Sequence, residues 1–112
     1  MSQETTNYPI NKEQLSGQHG GSREFGPLLL IYNLDLTQEK ITVTAKLTGV
    51  TIGIRVIELN NPYPVEIAGS TGISRAEIEL TVNASNKTLN YNISVENFGS
   101  RVFKGSGVLL DW

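Results

Sequence analysis

The chain has 112 residues, a length that fits a single domain, and 38% of its residues are hydrophobic. Nine basic and eleven acidic residues leave a formal net charge of −2, which provides no positive field to attract nucleic acid. The absence of cysteine excludes disulfides, thiolate metal sites and cysteine nucleophiles.

The sequence carries no membrane or export signal. No apolar run approaches the roughly 20 residues of a membrane-spanning helix, and the polar N-terminal residues lack the apolar core of a secretion signal. These features predict a soluble, cytoplasmic protein with no membrane partner. Export by a route that needs no signal is compatible with the same features.

The N-terminal segment is polar, with isolated apolar residues at Tyr8, Ile10 and Leu15. Such a composition buries too little apolar surface to offset the entropy lost on ordering. We therefore predict a flexible arm over residues 1–24 and one β domain over residues 25–112. The single histidine falls in this arm, where it would have no fixed geometry for general-base catalysis.

From residue 28 onward, apolar and polar residues alternate with the period of two that is typical of half-buried strands. The first strand is predicted over residues 28–36. Pairing Leu36 with Ile41 across a turn of four residues predicts an antiparallel partner over residues 41–47.

The alternation changes phase at Gly49, after which the apolar residues are Val50, Ile52, Ile54 and Val56. A tight hairpin at Thr48-Gly49 would keep both apolar sets on one face, and so would a bulge at Gly49 inside one long strand. We favour the hairpin. Because threonine tolerates positive φ poorly, a bulged turn suits it better than a two-residue turn.

The clearest unit is a hairpin around the turn at residues 84–87. Pairing Asn83 with Thr88 explains both of its strands, because one face then carries Ala76, Ile78, Leu80, Val82, Leu89, Tyr91, Ile93 and Val95. The same register sets Arg75 opposite Glu96, an opposite-charge pair worth about 0.2–1 kcal/mol.

Two further strands complete the pattern, a short one over residues 65–68 after a proline-rich turn, and a last one over residues 102–112. Gly105 and Gly107 are expected to leave room for the ring of Tyr91. About seven strands with short turns predict an all-β fold, either a β-sandwich or a small closed β-barrel. No internal repeat is evident.

The hairpin register also gathers polar side chains on its outward face. The candidate ligand-binding residues there are Arg75, Glu77, Glu79, Asn90 and Asn92, with Tyr63 from the proline-rich turn. The same face is expected to carry Ser94 and Glu96. Such carboxylate, amide and guanidinium groups could hydrogen-bond a sugar or a partner protein. The simpler interpretation is that these are ordinary solvent-facing residues without a ligand, because sugar-binding sites usually include an aromatic side chain that stacks on the sugar and none is evident here.

An apolar surplus on the second faces of the strands predicts self-association. It includes Ile57 and Leu59 after a phase change, and the candidate interface residues Leu29, Ile31, Val108, Leu110 and Trp112. A monomer rarely leaves a large contiguous apolar patch in water, so these residues would form one subunit interface if the first and last strands are neighbours. The other explanation is burial in the second layer of a sandwich.

The sequence has no catalytic constellation, no metal-ligand spacing and no cofactor motif. We therefore predict a non-enzymatic binding or assembly module without cofactor or metal, which self-associates and recognises protein or carbohydrate through its strand faces and the turns around Tyr63 and Phe98. The alternative is a small barrel that encloses an apolar molecule, as a carrier or as an enzyme that shapes its substrate. Tyr32, Arg55 and Tyr91 would be its polar contacts.

Overall fold

The computed structural model describes residues 18–112, which form eight antiparallel strands. The strands are β1 (Gln18–Phe25), β2 (Leu28–Asp35), β3 (Lys40–Leu47), β4 (Val50–Glu58), β5 (Val65–Thr71), β6 (Ser74–Asn83), β7 (Thr88–Asn97) and β8 (Ser100–Asp111). Each strand pairs with the next in two four-stranded sheets, sheet A (β1-β2-β3-β4) and sheet B (β5-β6-β7-β8). No helix long and apolar enough to cross a membrane occurs between residues 18 and 112.

The all-β prediction is confirmed, but the strand count is eight rather than about seven. The additional strand is β1, whose residues 18–24 fall within the predicted flexible arm. Its Gly-Gly-Ser stretch has low strand preference, yet β1 pairs with β2 along its whole length, and this tertiary pairing overrides the local preference. The remainder of the predicted arm, residues 1–17, lies outside the described residues.

One hydrophobic core lies between the sheets and takes side chains from both. In β3 and β6 every second residue is buried, as the alternation predicted. Ser74 is the one buried polar side chain of the described residues, and its Oγ donates a hydrogen bond to Asn97 Oδ1 at 2.8 Å. The core therefore contains no unpaired hydroxyl at this position.

The predicted hairpin of β6 and β7 is confirmed residue by residue, including Arg75 opposite Glu96. The predicted register of β2 and β3 is wrong by two residues, because Leu34 rather than Leu36 faces Ile41. A shift of two keeps the same faces inward, so the buried set is unaffected. The turn starts earlier than predicted, where the Gln38 N–H donates to Asp35 Oδ1 at 3.0 Å.

The hairpin at Thr48-Gly49 is confirmed, but as a two-residue turn with φ of 50° and 84°. The bulge lies further along β4, where Ile52 has no partner on β3. Residues beyond a bulge change face. Ile54 and Val56 therefore point outward, Ile57 is the one fully buried residue of β4, and Ile52 is partly buried against the core, so the prediction of one shared apolar face is wrong.

The two sheets meet along β4 and β5 through side chains rather than backbone pairing. Ile67 lies over Gly53, and Ile52 lies over Gly69. A Cβ on either glycine would come within 2.7 Å and 2.9 Å, respectively, of the facing isoleucine. Because the two glycines have no side chains, an isoleucine of each sheet can pack directly against the backbone of the other sheet.

The opposite seam, between β1 and β8, is held by one arginine and an aromatic pair. Arg23 donates to the main-chain carbonyls of Val108 at 2.9 Å and Leu109 at 3.2 Å. The ring of Phe25 on β1 meets that of Phe103 on β8 edge-on, with centroids 5.2 Å apart. Since no backbone ladder joins either seam, no closed barrel forms over residues 18–112.

The two sheets repeat the same series of turns. The first turn of each begins with a glycine at positive φ, Gly26 at 61° and Gly72 at 57°. In the second, Asp35 and Asn83 each accept a main-chain N–H from three residues later at 3.0 Å. The third is a two-residue turn in both, and Phe98-Gly99, with φ of 54° and 77°, matches Thr48-Gly49.

Backbone hydrogen bonds between turns repeat as well. The N–H of Thr48 donates to Pro27 O at 3.0 Å, and that of Phe98 donates to Ile73 O at 2.9 Å. After the last strand of each sheet, the Leu59 and Trp112 N–H groups donate in the same way to carbonyls of the second turn, at 2.9 and 3.0 Å. Thr48 and Phe98 are therefore equivalent positions in a structural repeat that the sequence did not reveal.

Candidate functional site

The predicted polar patch lies on the outward face of sheet B. There the side chains of Glu66, Glu77, Glu79, Asn92, Ser94 and Lys104 line an open depression of about 390 Å³. We call these six residues the polar face. Strand pairing positions them, because alternate residues of neighbouring strands point away from the core at matching heights.

Two cross-strand rows make up the polar face. In one row Glu66 lies opposite Glu79, which in turn lies opposite Asn92. In the other, Ser94 separates Glu77 from Lys104. Like charges directly opposite each other destabilise a sheet, so the Glu66–Glu79 pair favours a positively charged group near it.

The one salt bridge of the described residues joins Arg75 to Glu77, with 2.9 Å between Nη2 and Oε2. Both side chains are exposed, so the pair adds little stability, of the order of 0.2–1 kcal/mol. It does orient the Glu77 carboxylate and withdraw it from other partners. Glu79 and Glu66 form no salt bridge within the described residues and remain open to an incoming cation.

Three of the predicted ligand-binding residues, Glu77, Glu79 and Asn92, line the depression. Arg75 reaches it through its bond to Glu77, and Asn90 lies one row away, opposite Val108. Tyr63 is exposed in the link between β4 and β5 and is not among the lining residues.

Sequence reasoning missed two residues of the polar face, Glu66 and Lys104. They lie on β5 and β8, for which no register with the hairpin had been derived. Ser94 was expected on this face from the predicted register of the hairpin.

The predicted subunit interface is divided between two places. Leu29 and Ile31 lie on the outward face of sheet A, whereas Val108 lies on the outward face of sheet B. Leu110 belongs to the core at 8% exposure, and Trp112 packs against the core. The five residues do not share one surface of the chain, because β1 separates β2 from the last strand and a bulge in β8 turns Leu110 inward.

Sheet A does expose several aliphatic side chains on its outer side. Ile31, Thr44 and Ile54 share one row across β2, β3 and β4, and Val56 follows on the next row. Exposure is 37% for Ile31, 60% for Ile54 and 58% for Val56. We call Leu29, Ile31, Ile54 and Val56 the aliphatic face.

A second depression of about 290 Å³ lies at the seam of β1 and β8, where His19, Arg23 and Tyr32 are among the lining residues. The Arg23 guanidinium is committed to the carbonyls of β8. Tyr91 lies against Gly107, as predicted, whereas Gly105 accommodates Phe103 instead.

Both depressions are open and lie outside the core, so neither supports the alternative of an enclosed apolar ligand. Among the polar contacts predicted for such a ligand, Arg55 is exposed on β4, and Tyr32 and Tyr91 pack at the border of the core. Within the part of the chain that the structure describes, no three His, Asp or Glu side chains are grouped so that they could hold a metal ion.

Comparison of the chain with known protein families, with characterised proteins and with solved structures finds no match.

Proposed function

We propose that the protein is a non-enzymatic binding and assembly module, a β-sandwich that self-associates through the aliphatic face of sheet A. The observation that supports this function is the exposure of Ile31, Ile54 and Val56 on neighbouring strands. Contiguous apolar surfaces on soluble domains commonly mark interaction sites.

The composition of this surface suits a second copy of the chain. Thr44 lies between Ile31 and Ile54 and adds a methyl group, so no charged residue interrupts this row, whereas Leu29 lies between Glu24 and Lys46. Full burial of a Val or Ile side chain contributes about 1.5–3 kcal/mol, and a two-fold interface buries each residue twice. Burial of the exposed parts of these side chains on both copies would favour association.

Sedimentation velocity at tens of micromolar tests this assembly. The wild type is expected to sediment as a dimer or larger species and Ile54→Glu as a monomer, because a charge would be buried in the interface. Ser70→Glu, on the outward face of β5, is the matched control and should behave like the wild type. A monomeric wild type, or an Ile54→Glu variant that still assembles, contradicts the proposal.

A second candidate function is recognition of a partner through the polar face. The register that aligns Glu66, Glu79 and Asn92 around an open depression favours it. No aromatic side chain lines this depression, so a protein partner with basic side chains fits better than a sugar.

Amide chemical-shift mapping with a short oligolysine peptide and with a panel of oligosaccharides separates the two ligand classes. The peptide is expected to shift the amides of β5 to β7 around Glu79, and Glu79→Gln should remove the shifts. Glu58→Gln, an exposed carboxylate of sheet A, should leave them unchanged. Shifts caused by an oligosaccharide alone would favour carbohydrate, and no shift with any probe would refute recognition at this face.

A further inference from the structure

The outer edge of β8 has no strand partner within residues 18–112. With 12 residues, β8 is the longest strand of the two sheets, and its residues 105–110 include no charge and no proline. An uncharged free edge of this length is a template for pairing with a strand of another molecule. Sheets that avoid such pairing protect the edge with a bulge, a charge or a covering group.

Arg23 covers the edge of β8 from the opposite sheet. Its Nη1 donates to Val108 O at 2.9 Å and its Nη2 to Leu109 O at 3.2 Å. In a regular strand, successive carbonyls point to opposite edges, but a bulge here leaves Leu109 without a partner on β7. Two neighbouring carbonyls therefore face the seam, where the planar guanidinium of one arginine bonds both.

The inward direction of Arg23 supports a protective role. On β1 it alternates with Phe25 of the core and lies opposite the buried Leu30. Inward-pointing charges on edge strands are one of the features that discourage edge pairing. Arg55 is the counterpart on edge strand β4, opposite the buried Val43, but in the described part of the chain it forms no hydrogen bond across its seam.

The remainder of the seam leaves this part of β8 open. The depression of about 290 Å³ runs beside residues 108–111, with His19 and Tyr32 among its lining residues on sheet A. No backbone ladder joins β1 to β8. Arg23 thus bridges a seam that strand pairing does not close, and loss of its two bonds would uncover the edge carbonyls.

We propose that the bond of Arg23 to β8 is an autoinhibitory contact, which prevents β8 from pairing with β8 of a second copy. Antiparallel pairing of the two strands would join two copies of sheet B into one continuous sheet. Arg23 occupies Val108 O and Leu109 O, which lie within the uncharged segment that would pair.

Charge complementarity favours a second copy as the partner of this edge. Lys104 and Asp111 flank the uncharged segment, and both point outward, because Lys104 lies opposite Ser94 and Asp111 opposite Thr88. When two such strands pair antiparallel, Lys104 of each copy lies near Asp111 of the other. Opposite charges across a strand pair are stabilising, and the two-fold symmetry supplies this pair twice.

This inference goes beyond the proposed function, since it concerns the edge of sheet B and not the aliphatic face. The test therefore adds Arg23→Ala to the Ile54→Glu variant, in which assembly through the aliphatic face is removed. Arg55→Ala in the same background is the matched control. Sedimentation velocity measures association, and amide exchange at low and high protein concentration reports pairing of β8 whether or not the aliphatic face assembles.

Arg23→Ala is expected to raise the association constant at least tenfold over the control and to slow amide exchange of residues 105–110 at the higher concentration. Adding Asp111→Lys should reverse the gain, because two lysines then face each other, and a further Lys104→Glu should restore it. Arg23→Lys, which keeps the charge but cannot bond both carbonyls equally, should give an intermediate gain. Circular dichroism should retain the β-sheet signal in each variant.

Three outcomes would overturn the proposal. The first is equal association of the Arg23→Ala, Arg23→Lys and Arg55→Ala variants. The second is association that leaves the amides of residues 105–110 unprotected. The third is association that exchange of the charges at positions 104 and 111 does not alter.

Discussion

Sheet A and sheet B follow the same plan of turns and inter-turn hydrogen bonds, and they present different chemistry to the outside. Sheet A exposes Ile31, Ile54 and Val56, whereas sheet B exposes the carboxylates and amides of the polar face. The shared plan depends on backbone conformation and on a few turn residues. Outward positions are free of that requirement, so each sheet can carry its own binding surface.

The residue pairs directly beneath the third turns of the two sheets also differ in chemistry. Leu28 and Leu47 pack in the core beneath Thr48, while the equivalent Ser74 and Asn97 form a partly buried hydrogen bond beneath Phe98. Apolar packing stabilises the residue pair beneath the Thr48 turn, whereas a side-chain hydrogen bond stabilises the pair beneath the Phe98 turn. The equivalent substitutions should therefore destabilise the fold by different amounts and for different reasons.

The largest effect is expected at Leu28. Leu28→Ala removes a fully buried side chain and should lower the free energy of unfolding by about 2–5 kcal/mol. Ser74→Ala leaves Asn97 without its partner and should cost less, about 1–3 kcal/mol. Urea unfolding monitored by circular dichroism measures both, and equal losses would show that the two bases are energetically alike.

The two seams offer the next comparison. Gly53→Ala places a methyl group 2.7 Å from Ile67 Cγ2 in the seam of β4 and β5, and should cost about 1–3 kcal/mol through overpacking. A Cβ at Gly20, in β1 at the other seam, meets its nearest atom at 3.5 Å, so Gly20→Ala should change stability by no more than about 0.5 kcal/mol. Thermal unfolding that ranks the two variants in reverse order would contradict the packing described for these seams.

At the seam of β1 and β8, Arg23→Ala removes both hydrogen bonds to β8 carbonyls and the contact with the Tyr91 ring, whose centroid lies 6.0 Å away. We expect a loss of about 1 kcal/mol, because water can replace part of these bonds. Amide exchange should quicken in β1 before other strands. Arg55→Ala, which changes an exposed arginine of β4, serves as the control. Similar amide exchange rates of β1 in both variants would contradict a role of Arg23 in holding β1 against β8.

Effects comparable to that of Arg23→Ala are expected at the second turns of the repeat. Asp35→Ala and Asn83→Ala each remove one hydrogen bond of 3.0 Å, and each should cost about 0.5–1.5 kcal/mol. Equivalence predicts similar losses, which should add in the double variant because the two turns share no partner. Chemical denaturation of the three variants measures these losses in the free energy of unfolding. A large difference between the two single substitutions would mean that the two turns share a backbone geometry but contribute unequally to stability.

The residue pattern alone determined the all-β class and the hairpin of β6 and β7, with Val82 opposite Leu89. Both features depend on residues that are close in sequence. The alternation of apolar and polar residues has a period of two, and the short turn allows only one register in which all apolar residues of the hairpin share a face. Glu77, Glu79 and Asn92 were identified as neighbours for the same reason.

Tertiary structure alone decided the features that depend on residues distant in sequence. β1 is a strand because β2 offers it a partner, despite its glycine-rich composition. The bulge at Ile52 turns Ile54 and Val56 outward and so creates the aliphatic face, and it accompanies the packing of Ile52 over Gly69. Periodicity records which residues prefer burial, but the partner that buries them is set by packing between strands, which no local pattern encodes.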